Sequence, residues 1–224
     1  GEWALKNVPD EWEIGYGDMK LSVSPMGFKH TGLFPEQAAN WDWAAELIKN
    51  AGRSIRVLNL FAYTGAASVS AAKAGAFVCH CDASKGMVAR AKKNAALSGV
   101  PNDRIRYIVD DCMKFIEREI RRGSKYDAII ADPASYGRGA SGEVWQLEDM
   151  ADTLVRKASA LLSDEPLFFI LNSYTAGLSP SSCGCLLELY AGSAFGSHAQ
   201  CDELGLPITD KGFALPCGST ARMK

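Results

Sequence analysis

Residues 57–82 read VLNLFAYTGAASVSAAKAGAFVCHCD, and this stretch constrains the fold more than any other. An apolar run, VLNLF, stops at a short loop holding Thr64 and Gly65. A helix of small residues, AASVSAAKAG, follows, and a second apolar run, AFVCHC, ends at Asp82. Strand, tight turn, helix, and a second strand tipped by an acid is the arrangement with which an open parallel sheet grips a nucleoside-bearing cofactor. The turn brings backbone close to the ligand, and the acid accepts hydrogen bonds from ribose hydroxyls.

The alternation continues down the chain. IRVLNLF, FVCHCD, RIRYIV, YDAIIAD and LFFILNS read as five strands. Helices are expected from Gly65 to about Ala74, over KGMVARAKKNAALSG, over CMKFIEREIRR, from about Trp145 to Leu162, and over SSCGCLLELYA, the last weakened by Gly184. PASYGRGASGE reads as a loop, and roughly 198–204 with 212–216 as a terminal hairpin. This predicts an α/β fold: a mostly parallel, seven-stranded, Rossmann-like sheet with helices on both faces and a C-terminal antiparallel hairpin. Residues 1–50 differ. They hold Trp3, Trp12, Trp41 and Trp43, four of the five tryptophans, and alternating runs such as MKLSVSPMGF. They read as a small β-rich extension leading into a helix from Pro35 to Asn50, with the main domain spanning 51–224. The chain opens at GEWALKN without an initiator Met, which suggests a piece of a longer protein.

A net charge of -2 gives no global basic field for nucleic acid, so such a substrate requires a local patch or a separate module. Helical clusters at Lys85, Arg90, Lys92 and Lys93, and at Arg118, Arg121, Arg122 and Lys125, are the local candidates, and solvated faces are the plainer explanation. No apolar run is long enough to span a bilayer, and no signal-peptide layout is present, so the cytoplasm is expected. Of seven cysteines, Cys79 pairs with Cys81 and Cys183 with Cys185 at C-x-C spacing. Zinc sites usually use C-x-x-C, so buried reduced thiols are expected and no metal.

The residues after each strand are AYTG, DAS, DDC, DPAS and NSYT. Ligands of such sheets bind outside these carboxyl ends. Nicotinamide-binding sheets need G-x-G-x-x-G after the first strand to seat a pyrophosphate on a helix N-terminus. Here Gly65 stands alone before Ala66 and Ala67, and a cofactor without a pyrophosphate fits better. S-adenosylmethionine is one.

Five motifs then carry a family resemblance: VLNLFAYTGAAS, CDAS, VDDCMKFI, IIADPASYGRG followed by GEVWQLED, and, upstream, HTGLFPEQAANW. The chain resembles class I S-adenosylmethionine-dependent methyltransferases, and more narrowly the bacterial large-subunit ribosomal RNA methyltransferases and their relatives, from about Trp12 to the end. The resemblance implies that Tyr63, Thr64 and Gly65, with Asn59 before them, line the methionine end. It implies that Asp82 takes the ribose, that Ala83 and Ser84 lie beside the adenine, and that Asp111 and the Cys112 N–H meet the adenine edge. His30, Thr31, Phe34, Glu36 and Gln37 belong to an element that folds back over the cofactor, in which Ala38 replaces the family's Arg. Asp132 and Pro133 occupy the D-P-P position that holds the donor or an exocyclic amine, with Ala134 in place of the second proline. Tyr136 is a candidate to stack on an extruded base, and Asp132 and Tyr136 are the candidate catalytic residues.

Simpler roles exist for several of these: a positive φ at Gly65, a helix cap at Ser84, dipole compensation by Asp110 and Asp111, a helix start at Pro35 and Glu36, and a surface loop at Tyr136. Methylation of a pyrimidine C5 requires a cysteine nucleophile, which the family's cytosine-modifying members carry after strand five. Asn172-Ser173-Tyr174-Thr175 stands there instead, so nitrogen methylation of an RNA base is favoured. A protein or small-molecule acceptor, or a non-catalytic cofactor-binding scaffold, stays open. The separate RNA-binding module of RNA-acting members is not evident in this sequence.

Overall fold

Short apolar runs separated by helical segments can bury both faces only as a sheet covered on two sides. The computed structural model, which describes residues 7–26, 30–138 and 144–224, shows this arrangement. A hairpin of β1 (Trp12–Tyr16) and β2 (Met19–Val23) leads through a 3-10 turn at Pro35–Gln37 to α1 (Ala38–Asn50). The repeating units are β3 (Arg56–Leu60), α2 (Ala66–Lys73), β4 (Phe77–Asp82), α3 (Lys85–Leu97), β5 (Ile105–Val109), α4 (Cys112–Arg121) and β6 (Ala128–Ala131). A small hairpin, β7 (Tyr136–Arg138) with β8 (Val144–Gln146), precedes α5 (Leu147–Ser159), β9 (Phe168–Ser173) and α6 (Pro180–Phe195). The hairpin β10 (Gln200–Ile208) and β11 (Phe213–Met223) ends the chain.

The seven-stranded sheet runs β10-β11-β9-β6-β3-β4-β5, parallel from β9 to β5 and antiparallel at β11 and β10. Period-2 alternation sends Val57, Val78, Phe168 and Ile170 to the α1–α2 side, with Trp41 and Val69. It sends Leu58, Leu60, Phe169 and Leu171 to the other side, with Phe115, Leu154 and Leu187. Met19 and Leu21 of the N-terminal hairpin join the first of these cores, and Ser22 N donates to Asn94 Oδ1 at 2.8 Å.

Four local expectations are revised. The loop after β6 contains the β7–β8 hairpin, with residues 139–143 outside the described part, and α5 starts at Leu147. Helix α6 runs 16 residues straight past Gly184, where a Cβ would stand 2.3 Å from Cys201 Sγ. That glycine is a close-approach point to β10 and does not interrupt the helix. The terminal hairpin is longer than its apolar residues suggested, because cross-strand bonds carry it beyond β9. Cys79, Cys81, Cys112 and Cys183 are buried, but Cys185 and Cys201 are exposed.

From β3 the chain steps to β4 and β5 on one side, then returns to β6 and β9 on the other. The reversal opens a crevice at the carboxyl ends of β3 and β6, where sheets of this kind bind ligands.

Candidate active site

The loop leaving β3 bends sharply: φ is +54° at Phe61, +50° at Tyr63 and +85° at Gly65. Positive φ at two bulky residues is strain of the sort found at ligand sites. The loop holds because its amides are satisfied within the protein. Phe61 N donates to Cys112 Sγ (3.2 Å), Ala62 N to the Cys81 carbonyl (3.1 Å), Tyr63 N to Asp82 Oδ2 (2.8 Å) and Gly65 N to the Ala62 carbonyl (3.0 Å). Those four N–H groups are therefore not available to a pyrophosphate, which agrees with the exclusion drawn from the lone glycine. Gly65 also lets α3 approach, since a Cβ there would lie 2.7 Å from Ala91 Cβ.

A cleft lies between this loop, the 3-10 turn and the tips of β6 and β9. Of the expected site residues it brings together Phe34, Gln37, Asn59, Tyr63, Thr64, Gly65 and Asp132. Several also have partners within the protein. Thr64 Oγ1 donates to the Gly32 carbonyl at 2.6 Å, and Asn59 Nδ2 to Ser68 Oγ at 2.8 Å. Both tie elements together around the cleft. His30 and Thr31 are not among the lining residues: the His30 ring meets Phe34 edge-on at 5.6 Å, and the Thr31 carbonyl accepts from Ser24 N.

Asp82, outside the cleft lining, is tied to the loop: its Oδ1 accepts from Ser84 N and its Oδ2 from Tyr63 N, both at 2.8 Å. A carboxylate has lone pairs beyond these two for a ribose. Ala83 and Ser84 are exposed beside it, and Ser84 caps α3 by accepting from Met87 N. Asp111 caps α4 through Lys114 N at 2.9 Å, while Asp110 pairs with Arg118. The dipole-compensating role thus holds for Asp111. Cys112 is buried with its thiol turned toward the β3 loop, and Pro133 is buried behind Asp132. Tyr136 is 54% exposed on β7 and does not line the cleft.

Asp132 stands out. Its Oδ1 is buried without a hydrogen-bond partner among the described residues. Burial, reinforced by the charge of Glu36, pushes its carboxyl up to about 7. An orphaned buried oxygen on the cleft floor is a place for a ligand's donor. Its loop is stiff without a second proline: the Trp145 indole donates to the Ala134 carbonyl at 2.6 Å, Leu147 N to the Ser135 carbonyl at 3.0 Å, and Thr175 Oγ1 to Ser135 Oγ at 2.8 Å.

A network that the motifs did not disclose forms one wall. Tyr174 donates to Glu36 Oε1 (2.8 Å) and accepts from Gln37 Nε2 (2.9 Å). Gln37 Oε1 receives Asn40 Nδ2 (2.9 Å) and Asn172 Nδ2 (3.1 Å). The Tyr174 ring lies 5.9 Å from Phe34, and Gly218 leaves room for it, since a Cβ there would come within 2.8 Å. The signal for Asn172 and Tyr174 was their place after strand five.

A Rossmann-like sheet with a strained first loop, an acid at the second strand's tip and a carboxylate in the switch-point cleft defines a nucleoside-cofactor enzyme fold. The S-adenosylmethionine-dependent methyltransferase family model matches residues 1–180, and the chain belongs to that family. Its cofactor is S-adenosylmethionine. The cleft fits that group: Asp132 Oδ1, without a partner among the described residues, can take a cation or an N–H donor beside the methyl group, and no pyrophosphate has to be housed. A solved structure, an S-adenosylmethionine-dependent methyltransferase from Agrobacterium tumefaciens, is 36% identical with a TM-score of 0.91, covering 100% of this chain and 72% of that one. Ribosomal RNA large subunit methyltransferase K/L of Cellvibrio japonicus is 30% identical over 73% of this chain and 21% of its own length. Its counterpart in Shewanella baltica is 36% identical over 52% and 16%. The chain spans about a third or less of the length of the curated relatives it matches. Among the described residues no helix is long and apolar enough to cross a membrane, and no group of three or more His, Cys, Asp or Glu is placed to hold a metal.

Proposed function

We propose that the chain transfers the methyl group of S-adenosylmethionine to a nitrogen of an RNA base, with ribosomal RNA the preferred acceptor. The observation that carries this reading is the unpartnered Asp132 oxygen on the floor of the cleft. The names of the Cellvibrio and Shewanella relatives favour ribosomal RNA. Nitrogen is favoured over C5 because no cysteine lines the cleft and Cys183 is buried in α6.

S-adenosylmethionine supplies a methyl group already activated by a sulfonium, so the protein's task is mainly alignment, worth roughly 7–11 kcal/mol. Asp82 holds the ribose, and the loop from Phe61 to Gly65 shapes the methionine end. Asp132 accepts an N–H of the acceptor and orients its nitrogen in line. Phe34 and Tyr174 offer aromatic faces beside it. Tyr136 stands outside the cleft, where it can meet a base only at the approach.

The test is radiolabelled methyl transfer to total RNA, with and without Asp132→Ala, beside calorimetric titration of S-adenosylmethionine into wild type and Asp82→Ala. Label in RNA that disappears with Asp132→Ala supports the reading. Label confined to protein or small molecules rejects the RNA acceptor, and cofactor binding indifferent to Asp82→Ala rejects the ribose role.

A further inference from the structure

We propose a second binding site, at the opposite end of the sheet, for the phosphate groups of a single-stranded RNA; it rests on the RNA reading above for the nature of the strand. A hollow at the amino ends of β3, β4 and β5 is lined by Arg56, Arg104, Arg106, Phe77 and Tyr126, with Asp103 the carboxylate among its lining residues. Register explains the convergence. Arg56 pairs with Phe77, and Cys79 with Arg106, so these side chains share the sheet face that α4 leaves uncovered at this end.

Helices of a parallel α/β sheet run against its strands and turn their carbonyl ends this way, so peptide dipoles cannot hold an anion here. Side-chain cations must do it. Arg56 lies over the Tyr126 ring at 5.2 Å and Arg104 over Phe77 at 4.5 Å. A guanidinium stacked on a ring is pre-positioned; Arg104 spends one N–H on the Gly75 carbonyl at 3.3 Å and has others for phosphate oxygens. Among the described residues, no carboxylate oxygen lies within 4 Å of these three guanidiniums, whereas Arg53, Arg90, Arg118, Arg122 and Arg156 each have an ion-pair partner. The nearby acids are bonded to other groups, Glu119 to Arg122 and the Tyr126 hydroxyl and Asp127 to Arg53, although the Glu119 charge also acts on Arg106. Three like charges gathered with only the exposed Asp103 and the shared Glu119 nearby repel one another, and an external phosphate relieves that repulsion. Phe77, 42% exposed, adds a face on which a base can stack, which favours a strand over a bare phosphate.

The experiment is fluorescence anisotropy with a short labelled oligouridine RNA across a salt series, with uridine monophosphate as a competing probe. The double variant Arg104→Ala/Arg106→Ala should flatten the slope of log affinity against log salt by about 1.4, two contacts at about 0.7 each. The Arg104→Lys/Arg106→Lys variant should keep the slope, and Phe77→Ala should lower affinity about tenfold at unchanged slope. Unaltered S-adenosylmethionine binding verifies the fold of each variant. An unchanged slope in the alanine double variant overturns the proposal, as does loss of uridine monophosphate binding alone. Methyl labelling of RNA is scored separately. Labelling with an unchanged slope removes only this site, and a flattened slope without labelling removes only the acceptor assignment.

Discussion

Asp132 and Gly65 show how one residue's surroundings decide its chemistry. Asp132 is an ordinary carboxyl pushed up to about 7 by burial and by Glu36, so it becomes ionised only near neutrality. If the carboxylate is the working form, methyl transfer falls as pH drops through about 7. Asp132→Asn should lose about 100-fold in rate and that pH limb together, read from a pH–rate profile. At Gly65 both φ and space forbid a side chain. Gly65→Ala should cost about 2–4 kcal/mol in denaturant unfolding, combining the strained φ with overpacking against Ala91.

At the scale of elements, residues 30–34 strap across the β3 loop, and Ser24 is tied to α3 beside them. Thr64 bonds the Gly32 carbonyl, Arg90 Nη2 donates to Ser24 Oγ at 2.7 Å, and Phe34 lies 5.5 Å from the Tyr63 ring. Gly32, at φ +90°, passes so near Arg90 that a Cβ would stand 2.8 Å from Nη1. Arg90→Ala should loosen the strap and raise KM for S-adenosylmethionine several-fold with kcat less affected. Thr64→Val should cost about 1 kcal/mol in stability, the net worth of one hydrogen bond. The other helical cations are mostly engaged nearby: Lys93 with Glu11, Arg118 with Asp110 and Lys125 with the Ala160 carbonyl. The solvated-face explanation suits these clusters.

Across the whole molecule, two buried groups oppose each other in acid. His80 Nδ1 bonds Ser68 Oγ at 2.9 Å, its Nε2 is buried without a partner among the described residues, and burial lowers its pKa to about 4. Its stabilising contribution is full above the unfolded value of 6.5 and is lost as pH falls toward 4, about 3 kcal/mol in all. Asp132, raised from 3.8 to about 7, works the other way, because its native form keeps a proton that the unfolded chain releases. Between pH 4 and 6.5 the two slopes nearly cancel. Asp132→Asn should therefore expose an acid-labile slope of about 1.4 kcal/mol per pH unit, seen as a falling urea midpoint at constant m.

The amino-acid order by itself determined the alternation of strands and helices, the polar strand tips and the exclusion of a pyrophosphate-bearing cofactor. All are local: apolar period, turn residues and a lone glycine are written within a few positions. The β7–β8 hairpin was not legible, because its three-residue strands have too little periodicity to register. Only the tertiary structure decided that Asp132 Oδ1 lacks a partner among the described residues, that Tyr174 meets Gln37 across 137 positions, and that three arginines from two strands and a neighbouring loop converge. Burial, desolvation and long-range pairing depend on which distant segments come together, and no short window of sequence carries that information.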